Sequence, residues 1–404
     1  MTNGAIGRGA GIGARIHELD VLRGAAQLGV FVVHFAGVAF YKLPIGDSQR
    51  ELFEAQLHHR AALFVSDFLF QNKANTLFAT LFGMGFWIML ERLTERQANF
   101  AAVYGRRLGM LLLIGLANWF LFFPGDVLHE YALVGFALLA LRRWSARTML
   151  GVGLVLALFA SPVVGRVRTM IGASSDSFNA IQEQAFAVDD YWTWVQMLAP
   201  TMVQRDFLHA GALGWFLYIL GRFLIGAWVM RERWIERARD HLTTLRRLVW
   251  IVLPVGAAAE LWSLLIFKGV LPGGELLDGV LHAIGAPLMA LGYALLLLRL
   301  CQSPTWRRVA LWFAPVGRVA LTAYVLHGMV FTFVAMQFGL GWLGLAGPAA
   351  GLALAIALYA LMTLMAQQWL ARFRYGPLEY LWRWATYGRR PVFRKAAATE
   401  SPAT

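Results

Sequence analysis

The sequence predicts an all-α fold: a polytopic membrane helical bundle of about ten transmembrane helices, with both termini cytoplasmic. Three observations predict it. Of 404 residues, 59% are hydrophobic and 15% charged, against roughly 25% charged in soluble domains. Apolar runs of spanning or near-spanning length recur along the chain. Basic residues crowd every second loop, which fixes the orientation by the positive-inside rule.

Residues 1–18 are Gly-rich and polar and are expected to be a disordered N-terminus. The first apolar run, 22–42, is too long for a signal-peptide core and is expected to stay as an anchor. The second lies at 75–91. The third and fourth, 107–123 and 127–141, are broken only at Phe123-Pro124-Gly125-Asp126, so they form a helical hairpin. The fifth is 148–165. An extracytoplasmic segment, 166–210, follows; its Tyr191-Trp192-Thr193-Trp194 suits a membrane–water interface. The sixth run, 211–230, leads into a basic cytoplasmic linker, 231–247, expected as a surface helix between two five-span halves. The last four are 248–267, 277–299, 309–336 and 347–370. Together 19–388 form one transmembrane domain, and 389–404 a disordered tail.

Arg8 and Arg15, Arg92 and Arg96, Arg142 and Arg143, Arg231 and Arg233, Arg307 and Arg308, and Arg372 and Arg374 mark the basic side. Asp47, Glu51, Glu54, Asp176, Glu183, Asp189, Asp190 and Asp206 mark the other. The net charge of +13 is therefore a property of cytoplasmic loops, and nucleic acid is not expected as a partner. The single cysteine, Cys301, excludes an intramolecular disulfide and a cysteine metal cluster. No metal site is expected, because no carboxylate–His or His-x-x-x-His pair stands out.

Ionisable groups inside a bilayer cost at least a few kcal/mol each and mark function. The first span carries three. Arg23 and His34 lie eleven residues apart, about 20° from the same helical face and roughly 16 Å along the axis. Asp20 sits one turn before Arg23 and can pair with it. An imidazole titrates near neutrality, so His34 can act as a general base; a histidine merely bonded to a neighbouring helix is the plainer alternative. Lys73 opens the second span, where substrate binding and snorkelling to the interface both account for it. Asp126 can cap the fourth span or orient a histidine such as His129. Asn118, two turns earlier, can bond across to another helix. Gly317-Arg318-Val319-Ala320-Leu321-Thr322-Ala323-Tyr324 opens the ninth span, where Arg318, Thr322 and Tyr324 cluster. His327 faces away from Arg318, and His282 has no assigned role.

Five segments resemble one family. Asp20-x-x-Arg23-Gly24, Leu81-Phe82-Gly83-x-Gly85, Gly125-Asp126-Val127-Leu128-x-x-Tyr131-Ala132, Gly317-Arg318-x-Ala320-Leu321-Thr322-x-Tyr324 and Gly376-Pro377-Leu378-Glu379-Tyr380-Leu381-Trp382-Arg383 are similar to the YeiB-like membrane family, domain of unknown function 418. The resemblance implies a place among the transmembrane acyltransferases, whose acyltransferase-3 members show the Arg-x10-His spacing of Arg23 and His34. YeiB-like members commonly carry Asn at the position of His34, His at that of Asn118, and Gln at that of His327. The exchange implies that His34 and Asn118 meet, with Asn118 orienting the base.

The function expected is an integral membrane O- or N-acyltransferase of the cytoplasmic (inner) membrane. It would move an acyl group from cytoplasmic acyl-CoA, a co-substrate with no tightly bound cofactor, to a sugar-like or other hydroxyl or amine acceptor outside. His34, Asn118 and Asp126 form the catalytic set. Asp20, Arg23, Lys73, Arg318, Thr322 and Tyr324 form the binding set, with Arg23 and Arg318 suited to phosphates. The lipid bilayer is a partner, and homo-oligomerisation is left open. The competing expectation is a proton-coupled transporter or flippase of an anionic or lipid-linked metabolite, built from the same residues.

Overall fold

In hydrocarbon every backbone amide must be satisfied within its own segment, which leaves helices as the default. The computed structural model describes residues 16–42, 47–170, 184–204, 207 and 210–395. The expected N-terminal segment before residue 16, the middle of the 166–210 segment and the tail beyond 395 lie outside the described residues.

The helices run α1 His17–Val32, α2 Asp47–Ala55, α3 Leu57–Phe64, α4 Lys73–Glu95, α5 Phe100–Leu121, α6 Leu128–Ala140, α7 Ala146–Met170, α8 Tyr191–Val203, α9 Ala210–Arg231, α10 Leu242–Phe267, α11 Gly274–Gln302, α12 Arg307–Leu311, α13 Ala314–Arg318, α14 Ala320–Ala335, α15 Pro348–Arg372 and α16 Pro377–Tyr387. Two π-helical segments, Val33–Lys42 and Val65–Phe70, continue α1 and α3. Among the described residues the sole β feature is one antiparallel bridge, Phe373 to Arg394.

Among the described residues, seven helices are long and apolar enough to cross a membrane: His17–Gly37, Leu57–Glu95, Phe100–Leu121, Ala212–Arg231, Leu242–Phe267, Gly274–Gln302 and Pro348–Arg372. The other three expected spans fold as helices too, two of them short or broken. α6 has 13 residues, about 20 Å at 1.5 Å per residue, against a hydrocarbon core of about 30 Å. The Pro124-Gly125 turn delays its start and a 3-10 turn at Leu141–Arg143 ends it. α7 runs 25 residues, Ala146–Met170. The ninth run, expected unbroken over 309–336, is divided into α12, α13 and α14; Val319, at φ −117° and ψ 34°, leaves the helical region between the last two. The linker 231–247 is not a surface helix. Arg233 takes a positive φ of 57°, and turns follow until α10 begins at Leu242. Nor does the chain leave the bundle at 389. Arg374 N–H donates to the Phe393 carbonyl (2.8 Å) and Lys395 N–H to that of Arg372 (2.9 Å), and Phe393 packs on Phe373 and Tyr380.

The first helix lies in the middle. Two thirds of the apolar window of His17–Gly37 is buried by protein, against 22% for α10. The polar stripe of α1 therefore faces protein, while the α10–α11 hairpin offers its flank to lipid. Two glycines set this position. A Cβ on Gly24 would strike the Phe313 carbonyl, and one on Gly317 would strike the Asp20 carbonyl, so α1 and α13 cross with their backbones touching. Tyr359 of α15 closes the other side, donating its hydroxyl to the Gly24 carbonyl at 2.8 Å. One apolar core surrounds Phe31, Phe35, Phe123, Phe331 and Tyr359; a second, between α4, α5, α6 and α9, holds Phe86, Tyr104 and Phe223.

Candidate functional site

His34 is the second residue of the π-helical segment that continues α1. Its Nδ1 lies 2.7 Å from Nε2 of His327 on α14, and the rings stack at 4.9 Å. Nδ1 of His327 lies 2.6 Å from the Tyr324 carbonyl. A carbonyl only accepts, so His327 carries its proton on Nδ1 and offers the Nε2 lone pair. His34 Nδ1–H donates to that lone pair. Its own proton is thus fixed on Nδ1, and Nε2 is left as the basic nitrogen, without a hydrogen-bond partner among the described residues. Phe123 (4.8 Å) and Phe331 (6.1 Å) wall the ring, and Phe31 covers His327 (5.0 Å). His34 is half-buried and His327 buried, so the residue with the available nitrogen is the more accessible of the two.

Asn118 does not orient His34. Its Nδ2 donates to Asp126 Oδ1 at 2.8 Å. The Pro124-Gly125 turn folds Asp126 back over the last turn of α5, and the partner of His34 comes from α14 instead. Asp126 both caps a helix and bonds a histidine. Oδ2 accepts the backbone N–H groups of Leu128 (2.9 Å) and His129 (3.3 Å), capping α6. The same oxygen lies 3.1 Å from His129 Nδ1. In this turn outside the spans, burial pushes the Asp126 carboxyl up, and the hydrogen bonds from His129 and Asn118 pull it part of the way back. Trp119 stacks on His129 at 4.4 Å, and that ring is fully buried. Asn118, Asp126 and His129 thus form one cluster, and His34 with His327 another; Phe123 of the hairpin turn touches the second.

The remaining expected residues divide by their partners. Arg23 Nη1 pairs with Asp20 Oδ1 at 3.3 Å, as the spacing predicted. Gly85 leaves room for that guanidinium: a Cβ there would lie 3.9 Å from Nη2. Arg107, from α5, stands within electrostatic reach of Arg23 and Arg383, so arginines gather at the basic end of the bundle. Arg318 is half-buried, next to the Gly317 contact with Asp20. Thr322 and Tyr324 hold structure. The Thr322 hydroxyl donates to Glu379 Oε2 (2.6 Å), and Glu379 Oε1 accepts the N–H groups of Leu321 (2.7 Å) and Thr322 (3.0 Å). The Tyr324 hydroxyl accepts from Val127 N–H at 3.2 Å, tying α14 to the hairpin turn. The similar segments are in this sense contact points between one another.

Lys73 does not snorkel. It is 1% exposed and forms an ion pair with Glu260 of α10, with a further bond to the Asp67 carbonyl at 3.0 Å. The other Glu260 oxygen accepts from His282 Nδ1 (3.1 Å), whose Nε2 lies 2.6 Å from Asn72 Nδ2. His282 thereby gains a place in a network joining α4, α10 and α11. Sequence reading missed Glu260, Arg222 and Gln27, all buried. Glu260 and Arg222 are each a lone charged residue within a long apolar run, and that is the signal that would have found them.

One family model and three relatives match the chain. A family model described as protein of unknown function (DUF418) matches residues 229–389. The uncharacterized protein YxaH of Bacillus subtilis (strain 168) is 32% identical over 94% of this chain and 96% of its own length. The uncharacterized protein YeiB of Escherichia coli (strain K12) is 28% identical, covering 91% and 95%. An uncharacterized 39.9 kDa protein of the amylase 3′ region of Bacillus acidopullulyticus is 25% identical, covering 95% and 97%. No solved structure matches.

Proposed function

We propose that this chain, which belongs to the DUF418 family, is an integral membrane acyltransferase with His34 as its general base. The observation that carries the reading is the relay from His34 through His327 to the Tyr324 carbonyl. It holds the His34 proton on Nδ1 and leaves Nε2 to accept one, which is what a base for a hydroxyl or amine nucleophile requires. The acceptor O–H or N–H gives its proton to Nε2 as the oxygen or nitrogen attacks the thioester carbonyl. The tetrahedral intermediate collapses, the C–S bond breaks, and the imidazolium returns the proton to the departing thiolate. Ester or amide and free CoA are the products.

In this reading acyl-CoA binds at the basic, cytoplasmic end, where Arg23, Arg107 and Arg318 suit its phosphates. The acceptor is a sugar-like hydroxyl or amine compound reached from outside, beside Asn118, Asp126 and His129. Thr322 and Tyr324 position elements and do not touch the donor. The membrane is the cytoplasmic (inner) one, with both termini inside.

The test is thermal stabilisation of the purified protein by acetyl-CoA and longer acyl-CoAs, together with release of free CoA on addition of acceptor extracts. Wild type is expected to be stabilised, Arg23→Ala to lose the effect, and His34→Ala to keep it while releasing CoA at least about 100-fold more slowly. Absence of any shift in monodisperse wild-type protein overturns the reading. Flux of an unmodified substrate into vesicles would then assign the same residues to a transporter.

A further inference from the structure

The core between α4, α6 and α9 holds a positive charge that acyl transfer does not use. Arg222 of α9 is 2% exposed. Its Nε donates to Thr76 Oγ1 at 3.0 Å, and its Nη1 to the carbonyls of Tyr218 (3.1 Å) and Ala157 (3.4 Å). The guanidinium carbon sits 3.2 Å from the centroid of the Tyr218 ring. Every one of these partners is neutral. Among the described residues no carboxylate forms an ion pair with Arg222, and its Nη2 has no acceptor. A buried charge is ordinarily paired, and an arginine inside a span costs at least a few kcal/mol. The same bundle neutralises its other buried cation, Lys73, directly with Glu260.

The surroundings are polar. Thr76 Oγ1 and the Tyr218 hydroxyl lie 3.4 Å apart. Tyr131 donates its hydroxyl to Asn75 Oδ1 at 2.6 Å, and Trp215 stacks on Tyr218 at 5.2 Å. Thr76 and Tyr131 both stand in the first turn of their helices, α4 and α6, so the cluster lies towards the end of the bundle opposite the arginine-rich one.

We propose that Arg222 is the recognition residue of a binding site for a monoanionic oxyanion, a carboxylate or a phosphodiester, carried by a small substrate. One guanidinium with one open nitrogen balances one negative charge, and its Nη2 can donate a charge-assisted hydrogen bond to an oxyanion. A dianion such as a phosphate monoester would bring a second negative charge into a core that already holds the buried Glu130 side chain, bonded to Trp215. The Thr76 and Tyr218 hydroxyls supply further donors to the oxygens. The site stands whether the chain transfers acyl groups or carries solutes.

The experiment titrates purified full-length protein with acetate, dimethyl phosphate or methyl phosphate at constant ionic strength set with chloride, and reads the thermal midpoint. A saturable rise with acetate or dimethyl phosphate is expected, with methyl phosphate weaker. Which monoanion binds more tightly distinguishes a carboxylate substrate from a phosphodiester one. Arg222→Gln is expected to abolish the rise and Arg222→Lys to weaken binding roughly tenfold, about the worth of one charge-assisted hydrogen bond. Should Arg222→Gln fail to fold, Arg222→Lys with Thr76→Val carries the comparison. Equal response to chloride and to the oxyanions overturns the proposal. So does binding unchanged in Arg222→Lys and Thr76→Val.

Discussion

A histidine is a useful base only when its proton is kept on the nitrogen that faces away from the substrate. His327 performs that task for His34, and its own tautomer is held by a backbone carbonyl that cannot donate. His327 is therefore a positioning residue. His327→Phe is expected to lower kcat about 10- to 100-fold with KM little changed. His327→Gln, whose amide oxygen can still accept from Nδ1–H, is expected to restore part of it. A parallel loss of folded protein in both variants would speak for a purely structural role; pH–rate profiles that shift in His327→Phe and recover in His327→Gln would not be produced by such a role. At this scale the sequence was informative in a particular way. Helical periodicity placed Arg23 and His34 on one face because that relation is local. The partner of His34 is 293 residues away in the chain, and spacing carries no information about it. The resemblance pointed to Asn118, but Asp126, only eight residues on, is the partner that takes its amide nitrogen.

Between elements, the similar segments act as fasteners. Glu379, at the start of α16, caps the start of α14 by accepting two backbone N–H groups and the Thr322 hydroxyl. Glu379 lies beyond the last span, and burial pushes its carboxyl up from the ordinary range, against the pull of those hydrogen bonds. An acid whose native pKa is raised favours the protonated form in the folded state. Its contribution is fully present below the unfolded value of about 4.3 and declines as pH rises through the raised native value. The thermal midpoint of the wild type should therefore fall relative to Glu379→Gln as pH increases across that window. Glu379→Ala, which leaves buried donors unmet, should cost about 1–3 kcal/mol at any pH. A wild type and Glu379→Gln with parallel pH profiles would refute the account. Long apolar helices were legible because their composition alone demands them. The breaks were not: Val319 and Arg233 leave the helix through backbone geometry that no hydropathy run records.

For the whole molecule, the Lys73–Glu260 pair joins α4 to α10, with His282 of α11 on the second Glu260 oxygen. Removing one partner strands a buried charge, so Lys73→Met or Glu260→Leu alone should cost about 3–5 kcal/mol, while the double variant should recover most of that loss. Unfolding curves of the four proteins measure the coupling, and additive losses would rule it out. The helical bundle itself was legible from apolar length; where its helices break was not, because turns interrupt the chain before α6 and α14. The central place of α1 has a consequence for biogenesis. α1 precedes the other described helices in the chain, yet besides α4 it packs against α13, α14 and α15, which are made much later. Until those arrive, α1 has α4 beside it but lacks the neighbours that close on Gly24 and His34. The nascent chain must shelter this helix through most of its synthesis, and a chain truncated before Gly317 would present its most polar span to lipid or to the insertion machinery. Completion of the core is thus tied to synthesis of α13, α14 and α15.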